Sequence, residues 1–489
     1  MRESGILLHV SSLPSKYGIG NFGSEAYKFV DFLEKTKQTY WQILPIGPTS
    51  YGDSPYQSFS SNALNPYFID LEMLVDEKLI KKSDIIDSTT GDKIDYGKLY
   101  EERYLVLSKA FKNFDLSNKD FLKFLNDEKA WLHDYALFMA IKKSFDDVSL
   151  IEWPSRVRMR NAEAISKLET HYQDEINFQK FMQFKAYEQY YALKDYANSK
   201  GIKIFGDIPI YVSYDSSDVW VNPSLFQLDG DNKPTHVAGV PPDSFSADGQ
   251  LWGNPLYNWE ELEKTNFLWW IERIRNQAKL FDALRIDHFI GFVNYFKIPA
   301  QDKTARNGVW VKGVGSKLFK AIKAELGDLN IIAEDLGLVT DDVIALLEET
   351  NFPGMKLLHF AFDPAGDSNN LPHFHPVNSV AYPGTHDNET SKQWLENLSE
   401  ESFEFFLNYT NSNRENALNS IIKETLKSPA RIAVIPMQDY LGLGSFARMN
   451  IPSTLGNNWD WRLSENYLDE ELVNKVLLYT KTFGRVRKD

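Results

Sequence analysis

Apolar positions along this chain cluster in two ways, as short dense runs and as longer stretches with helical spacing. The dense runs are Gly5-Ile-Leu-Leu-His9, Tyr40-Trp-Gln-Ile-Leu-Pro45, Lys203-Ile-Phe-Gly-Asp207, Ala283-Leu-Arg-Ile-Asp287, Asn330-Ile-Ile-Ala-Glu-Asp335, Met355-Lys-Leu-Leu-His-Phe360, Ser379-Val-Ala-Tyr-Pro383 and Arg431-Ile-Ala-Val-Ile-Pro436. A parallel strand covered by helices on both faces reads this way, because neither face meets water. Most runs are separated by enough sequence for a helix. Eight such strands alternating with helices predict an α/β fold, a closed (β/α)8 TIM barrel. Such a barrel places its active site at the C-terminal ends of the strands. Four of those ends carry acids: Asp207, Asp287, Glu334 and Asp387.

The intervals add large insertions to the barrel. Residues 70–178 are rich in Lys, Glu, Asp and Leu and contain no strand-like run, which predicts a helical insertion after the second strand. A clearer helix spans 176–199, with Phe181, Phe184, Tyr187 and Tyr191 on one face and Gly201 closing it. An aromatic stripe at that spacing is expected to be core. Periodicity disappears from 212 to 265, where an aromatic-rich loop is expected to form a lid carrying Phe245, Trp252, Tyr257 and Trp259. The whole chain, 1–489, is expected to form one catalytic unit.

Composition narrows the chemistry. With 43% hydrophobic residues, 14% aromatics and 489 positions, a large core is available. A net charge of −15 disfavours nucleic acid and anionic membranes as partners. The absence of cysteine excludes disulfides, thiolate metal sites and a cysteine nucleophile. Met-Arg-Glu-Ser-Gly leads straight into the first run without a charged-then-apolar leader, so cytoplasmic residence is expected. No metal or other cofactor is expected. His373 and His375 lack a third ligand at recognisable spacing, and Lys233 falls where a calcium loop starting at Asp229 needs an oxygen. No Gly-x-Ser-x-Gly elbow or glycine-rich phosphate loop occurs.

Strand alternation puts Arg285 and Asp287 on one face and Leu284 and Ile286 on the other. The first pair then faces the barrel mouth, where the guanidinium is expected to keep Asp287 ionised, as a nucleophile requires. Glu334, near two acids, is expected to have a raised pKa and to serve as a general acid. Asp335 is expected to cap the next helix or to hold a loop. One ionised and one protonated carboxyl in one pocket is the division of labour of glycoside cleavage.

With these residues in place, the chain resembles the 4-α-glucanotransferases, called amylomaltases or disproportionating enzymes, of the α-amylase clan. The resemblance runs through Leu8-His-Val-Ser-Ser-Leu-Pro14, Gly52-Asp-Ser-Pro-Tyr-Gln57, Gly206-Asp-Ile-Pro-Ile-Tyr-Val212, Pro241-Pro-Asp243, Gly249-Gln-Leu-Trp-Gly-Asn-Pro-Leu-Tyr257, Arg285-Ile-Asp-His-Phe289, Ala333-Glu-Asp-Leu-Gly337, Pro353-Gly-Met355 and Gly384-Thr-His-Asp-Asn388. It implies Asp287 as nucleophile, Glu334 as acid/base and Asp387 as a third carboxylate that binds and distorts the sugar. It also implies Arg285 orienting the nucleophile, Asp207 at sugar hydroxyls, His386 binding substrate beside Asp387, Tyr56 stacking at the cleavage point, Gln250 and Trp252 in a lid on the acceptor side, and Asp363 as an acceptor-side acid. The implied substrates are α-1,4-glucan donors and acceptors, including glucose. A retaining hydrolase and a non-catalytic glucan-binding barrel are the alternatives.

Overall fold

The computed structural model describes residues 2–487 apart from 51, 88–90, 243–245 and 367. Each dense apolar run forms a strand of one parallel sheet. These are β1 (Glu3–Leu7), β2 (Tyr40–Gln42), β3 (Lys203–Pro209), β4 (Ala283–Asp287), β5 (Ile331–Ala333), β6 (Gly354–Leu357), β7 (Ser379–Tyr382) and β8 (Ile432–Pro436). Their order is β6-β7-β8-β1-β2-β3-β4-β5. β5 returns to β6 through the Ala333 N–H on Pro353 O at 3.0 Å, so the sheet closes on itself as a (β/α)8 barrel.

Alternation behaves as read. Leu284 and Ile286 are buried towards the surrounding helices, among them Leu268–Leu280, while Arg285 pairs with Asp207 of the neighbouring strand. The β3–β4 register sets Asp207 beside Arg285 and Pro209 beside Asp287. Gly206, just before Asp207, is required by crowding: a Cβ there would come within 2.2 Å of the Phe281 ring.

Residues 70–178 supply helices, including Leu71–Asp76, Tyr96–Lys112, Lys119–Asp127, Leu132–Ser144 and Ala162–His171. They surround the long helix Gln173–Ser199, whose aromatic stripe is interior: Phe181, Phe184 and Tyr187 are buried and pack on Phe111, Phe114, Phe124 and Trp131. Lys200 ends that helix and Gly201 follows at φ +72°.

The interval 212–265 departs from the expectation of an unstructured loop. It holds strands His236–Val240 and Gln250–Pro255, which join Asn294–Pro299 and Val309–Lys312 in an antiparallel sheet. The latter two strands come from a further excursion after β4. Val237, Phe296, Ile298 and Ala305 form a small core beneath this sheet. Phe245 of the expected lid lies outside the described residues. Tyr257 and Trp259 pack inward instead of lining a cleft: Tyr257 is buried with its hydroxyl on Ile210 O at 2.8 Å, and Trp259 stacks on Trp270. Among the described residues no helix is long and apolar enough to cross a membrane.

Candidate active site

The C-terminal ends of β3, β4, β5 and β7 bring the four acids together around Arg285. This side chain is fully enclosed; Nη1 reaches Asp207 Oδ2 at 2.5 Å and Nη2 reaches Asp287 Oδ1 at 2.9 Å. Burial works against the guanidinium charge, but Asp207 and Asp287 more than offset it and hold its pKa above the ordinary value.

Glu334 accepts the His288 N–H on Oε2 at 2.6 Å and the Leu336 N–H on Oε1 at 3.1 Å. Burial nevertheless pushes its carboxyl up to about 7, with Asp335 adding to the rise. Asp287 is also pushed well above the carboxylate range by burial, opposed by Arg285 and reinforced by Glu334, Asp207 and Asp387. The expectation that one guanidinium keeps Asp287 ionised therefore needs correcting, since Arg285 is shared with Asp207 and only offsets the burial. The two carboxyls compete for a proton. Arg285 at 2.9 Å and the 26% exposure of the Asp287 side chain oppose the rise at Asp287, while Glu334 is held by the His288 and Leu336 N–H groups.

Tyr56, His386 and Asp387 form the opposite wall. The Tyr56 hydroxyl donates to Asp207 Oδ2 at 2.7 Å, so it accepts from His386 Nε2 at 2.8 Å. The two rings stack at 5.4 Å and 14°, with Trp459 leaning on both. His386 Nε2 also approaches Asp387 Oδ2 at 3.3 Å. Burial lowers the His386 pKa despite Asp387, and burial beside Asp207 raises that of Tyr56 well above its ordinary value. Asp207 Oδ1, Arg285 Nε, His288 Nε2 and His386 Nδ1 are buried without a hydrogen-bond partner. Each such atom costs on the order of 1–3 kcal/mol. These residues belong to or adjoin the cluster of Asp207, Arg285, Asp287 and Glu334.

Gln250 and Trp252 lie on the side-sheet strand nearest the pocket. Trp252 stands edge-on to His288 at 4.8 Å and 89°, and its Nε1 donates to Gln250 Oε1 at 3.1 Å. Asp363 stands apart. It is exposed in the loop after β6, its carboxylate accepts the Ala365 N–H at 2.9 Å, and it makes no hydrogen bond or ion pair with the central acids. Asp335 holds a loop as expected, accepting the Met355 N–H at 2.6 Å. Both ring nitrogens of His375 are engaged, by Ser428 Oγ and Asn370 O, while His373 Nδ1 meets the Tyr409 hydroxyl.

Three neighbours escaped the reading of the sequence. His288 sits at φ +53°, a conformation uncommon outside glycine, and this bend aims its N–H at Glu334. Its signal was adjacency to Asp287. Asn450 donates to Asp387 Oδ1 at 2.6 Å and Arg448 to the Asp387 carbonyl at 3.2 Å, from a loop far along the chain.

A model of the 4-alpha-glucanotransferase family matches residues 8–468. A 4-alpha-glucanotransferase of Clostridium butyricum is 50% identical over 487 residues, spanning 98% of this chain and 100% of the relative. One of Thermus thermophilus is 43% identical, spanning 96% of each chain. Among solved structures, amylomaltase from Streptococcus agalactiae in complex with acarbose matches with a TM-score of 0.97 and 44% identity over 100% of both chains. The chain belongs to the 4-alpha-glucanotransferase family.

Proposed function

We propose that Asp287, Glu334 and Asp387 carry out in this chain the transfer that defines its family. The activity is that of a 4-alpha-glucanotransferase, a hexosyl-transferring enzyme that moves a segment of an α-1,4-glucan to the 4-hydroxyl of another glucan or of glucose. Asp287 attacks the anomeric carbon while Glu334 gives its proton to the departing 4-oxygen, and the freed chain leaves. The acceptor's 4-hydroxyl then enters, Glu334 takes its proton, and the ester to Asp287 is displaced. Two inversions give net retention, a chemistry that places the two carboxyls about 5–5.5 Å apart. Asp387, held by Asn450 and beside His386, binds and distorts the sugar, and Tyr56 stacks on it. Asp207 holds Arg285 in place, and Gln250, Trp252 and Asp363 serve the acceptor. Binding of acarbose, present in the solved amylomaltase, is extended to this chain.

The observation that carries this reading is the placement of Arg285, whose Nη2 lies 2.9 Å from Asp287 Oδ1 and opposes the burial that raises Asp287, beside Glu334, whose proton burial holds to about 7. One pocket thus holds a nucleophile and an acid at neutral pH. Transfer prevails over hydrolysis where acceptor binding places the hydroxyl and water is excluded. The proposal treats 1–489 as one catalytic unit in the cytoplasm, with 70–178 as a helical insertion and 212–265 carrying the lid. Incubation with maltotriose alone tests it. Glucose together with a ladder of longer maltodextrins is expected; glucose and maltose without a ladder would mean hydrolysis.

A further inference from the structure

The helical insertion touches no reacting group, yet it ends in a buried charge against the supports of the site. Lys142, on Leu132–Ser144, is 3% exposed. Its Nζ donates to Asp215 Oδ2 at 2.6 Å and to Val148 O at 3.0 Å, and lies 5.0 Å from the centre of the Phe59 ring. Asp215 Oδ1 accepts the Leu150 N–H at 2.9 Å, a second tie to the insertion. A buried ion pair adds little net stability over an apolar pair of the same size, because desolvation cancels most of the attraction. What it does fix is the relative placement of the elements that supply its two halves.

Those elements lead to the site. Asp215 lies on the segment between β3, which ends near Asp207, and the short helix Ser217–Val221. On one side this segment is joined to the loop that carries Tyr56: the Ser217 N–H donates to Phe59 O at 2.9 Å, and Asp218 accepts the Ser61 N–H at 2.7 Å and its hydroxyl at 2.6 Å. On the other side it is joined to the strand of Gln250 and Trp252. Val212 O accepts from Asn254 Nδ2 at 3.0 Å, and Gln57 Nε2 donates to Asn254 Oδ1 at 2.9 Å and to Trp252 O at 3.2 Å. The path from Lys142 to Trp252 runs by hydrogen bond to Asp215, along the backbone back to Val212, and then by hydrogen bonds through Asn254 and Gln57, and Lys142 contributes its charged end.

We propose that Lys142 and Asp215 are positioning residues for acceptor binding, through which the helical insertion fixes the strand of Trp252 against the loop of Tyr56. The proposal rests on the acceptor-side reading of Trp252. The test uses the full-length protein, a saturating maltosyl fluoride donor and maltose as the varied acceptor. Lys142→Met, of similar length but uncharged, is expected to raise the maltose KM about tenfold, the scale of a small misplacement. Donor kcat/KM, read as fluoride release, is expected to stay within about twofold. Lys142→Arg should restore the acceptor KM, and amide hydrogen exchange over 250–255 should quicken in Lys142→Met alone. Asp215→Asn keeps the shape and the Leu150 contact; it is expected to raise the maltose KM even if Lys142→Met fails to fold. An unchanged maltose KM in Asp215→Asn, or donor and acceptor parameters falling together, overturns the proposal. Trp252→Ala separates the two ideas. If it raises the maltose KM and Lys142→Met does not, positioning fails alone; if it leaves the KM unchanged, the acceptor-side reading falls and takes the proposal with it.

Discussion

At Asp287 an amide would keep the shape of the carboxyl and one contact to Arg285, but it cannot form an ester with the sugar. Asp287→Asn is expected to melt near the wild type and to lose several decades of transfer. Activity within about tenfold of wild type, a barrier change of roughly 1.4 kcal/mol, would remove it from the nucleophile role. Glu334→Gln should fail differently. Fluoride leaves without a proton, so this variant should still release it from a glucosyl fluoride and accumulate a glycosyl adduct, seen as added mass on the intact protein. Equal loss with fluoride and natural donors would exclude Glu334 as the acid. The same residue has a pH signature. Folded Glu334 keeps its proton to about 7, whereas a glutamate in the unfolded chain releases it near 4.5. The folded state therefore binds the extra proton between these values. This contribution to stability is complete below 4.5 and is lost as pH rises through 7. Transfer should fall on the alkaline side of about 7, and Glu334→Gln should flatten the matching decline in denaturant midpoint.

At the scale of elements, legibility followed how locally each one is stabilised. The barrel strands were readable because most of their positions are buried on either face, so the signal sits in five or six consecutive residues. Glu334 and Asp387 were placed by strand ends. The strands His236–Val240 and Gln250–Pro255 were not readable: Gly239, Gly253 and Pro255 break their pattern, and Asn294–Pro299, which pairs with the other edge of His236–Val240, arrives only after β4. Asn450 was invisible because nothing near it in sequence refers to Asp387. Asp363 had a family motif but has no contact with the other acids. The side sheet also sharpens what Trp252 should do. Its edge contact with His288 puts it against the residue whose N–H holds Glu334. Trp252→Ala should both remove aromatic surface for the acceptor and admit water, raising hydrolysis relative to transfer with maltotriose. The ratio is read as reducing ends formed per glucose released, well below the melting point. A lower melting point with an unchanged ratio would reduce Trp252 to packing.

The molecule as a whole separates chemistry and cohesion onto opposite ends of the barrel. The acids occupy the C-terminal ends of the strands. At the other end, where β1 and β8 begin, the two termini of the chain are fastened by arginines. Arg485 is fully buried and donates from Nε to Leu426 O at 2.8 Å, from Nη1 to Glu3 O at 2.8 Å, and from Nη2 to Ser428 O at 2.8 Å and Ala430 O at 3.1 Å. Arg2 reaches Phe483 O, Leu426 O, Lys427 O and Ser428 O beside it. No carboxylate balances Arg485 in this set. Its charge is met by carbonyl dipoles, several from the C-terminal end of the helix Ala417–Lys427, where a cation is favoured. Burial, with Arg2 nearby, brings its pKa down to about 9, so it remains charged at neutral pH. Arg485→Met fills much of the same space but leaves those carbonyls unpaired. Hydrogen bonds from a charged donor contribute about 1.5–3 kcal/mol each and are not additive, so the variant is expected to lose about 3 kcal/mol or more, read as a lower denaturant midpoint. Because the clamp lies across the barrel from Asp287 and Glu334, kcat/KM of the folded variant at 25 °C should stay within about twofold of wild type. A fall in kcat/KM at undiminished stability would mean that the two ends are coupled, and the separation of cohesion from chemistry would be wrong.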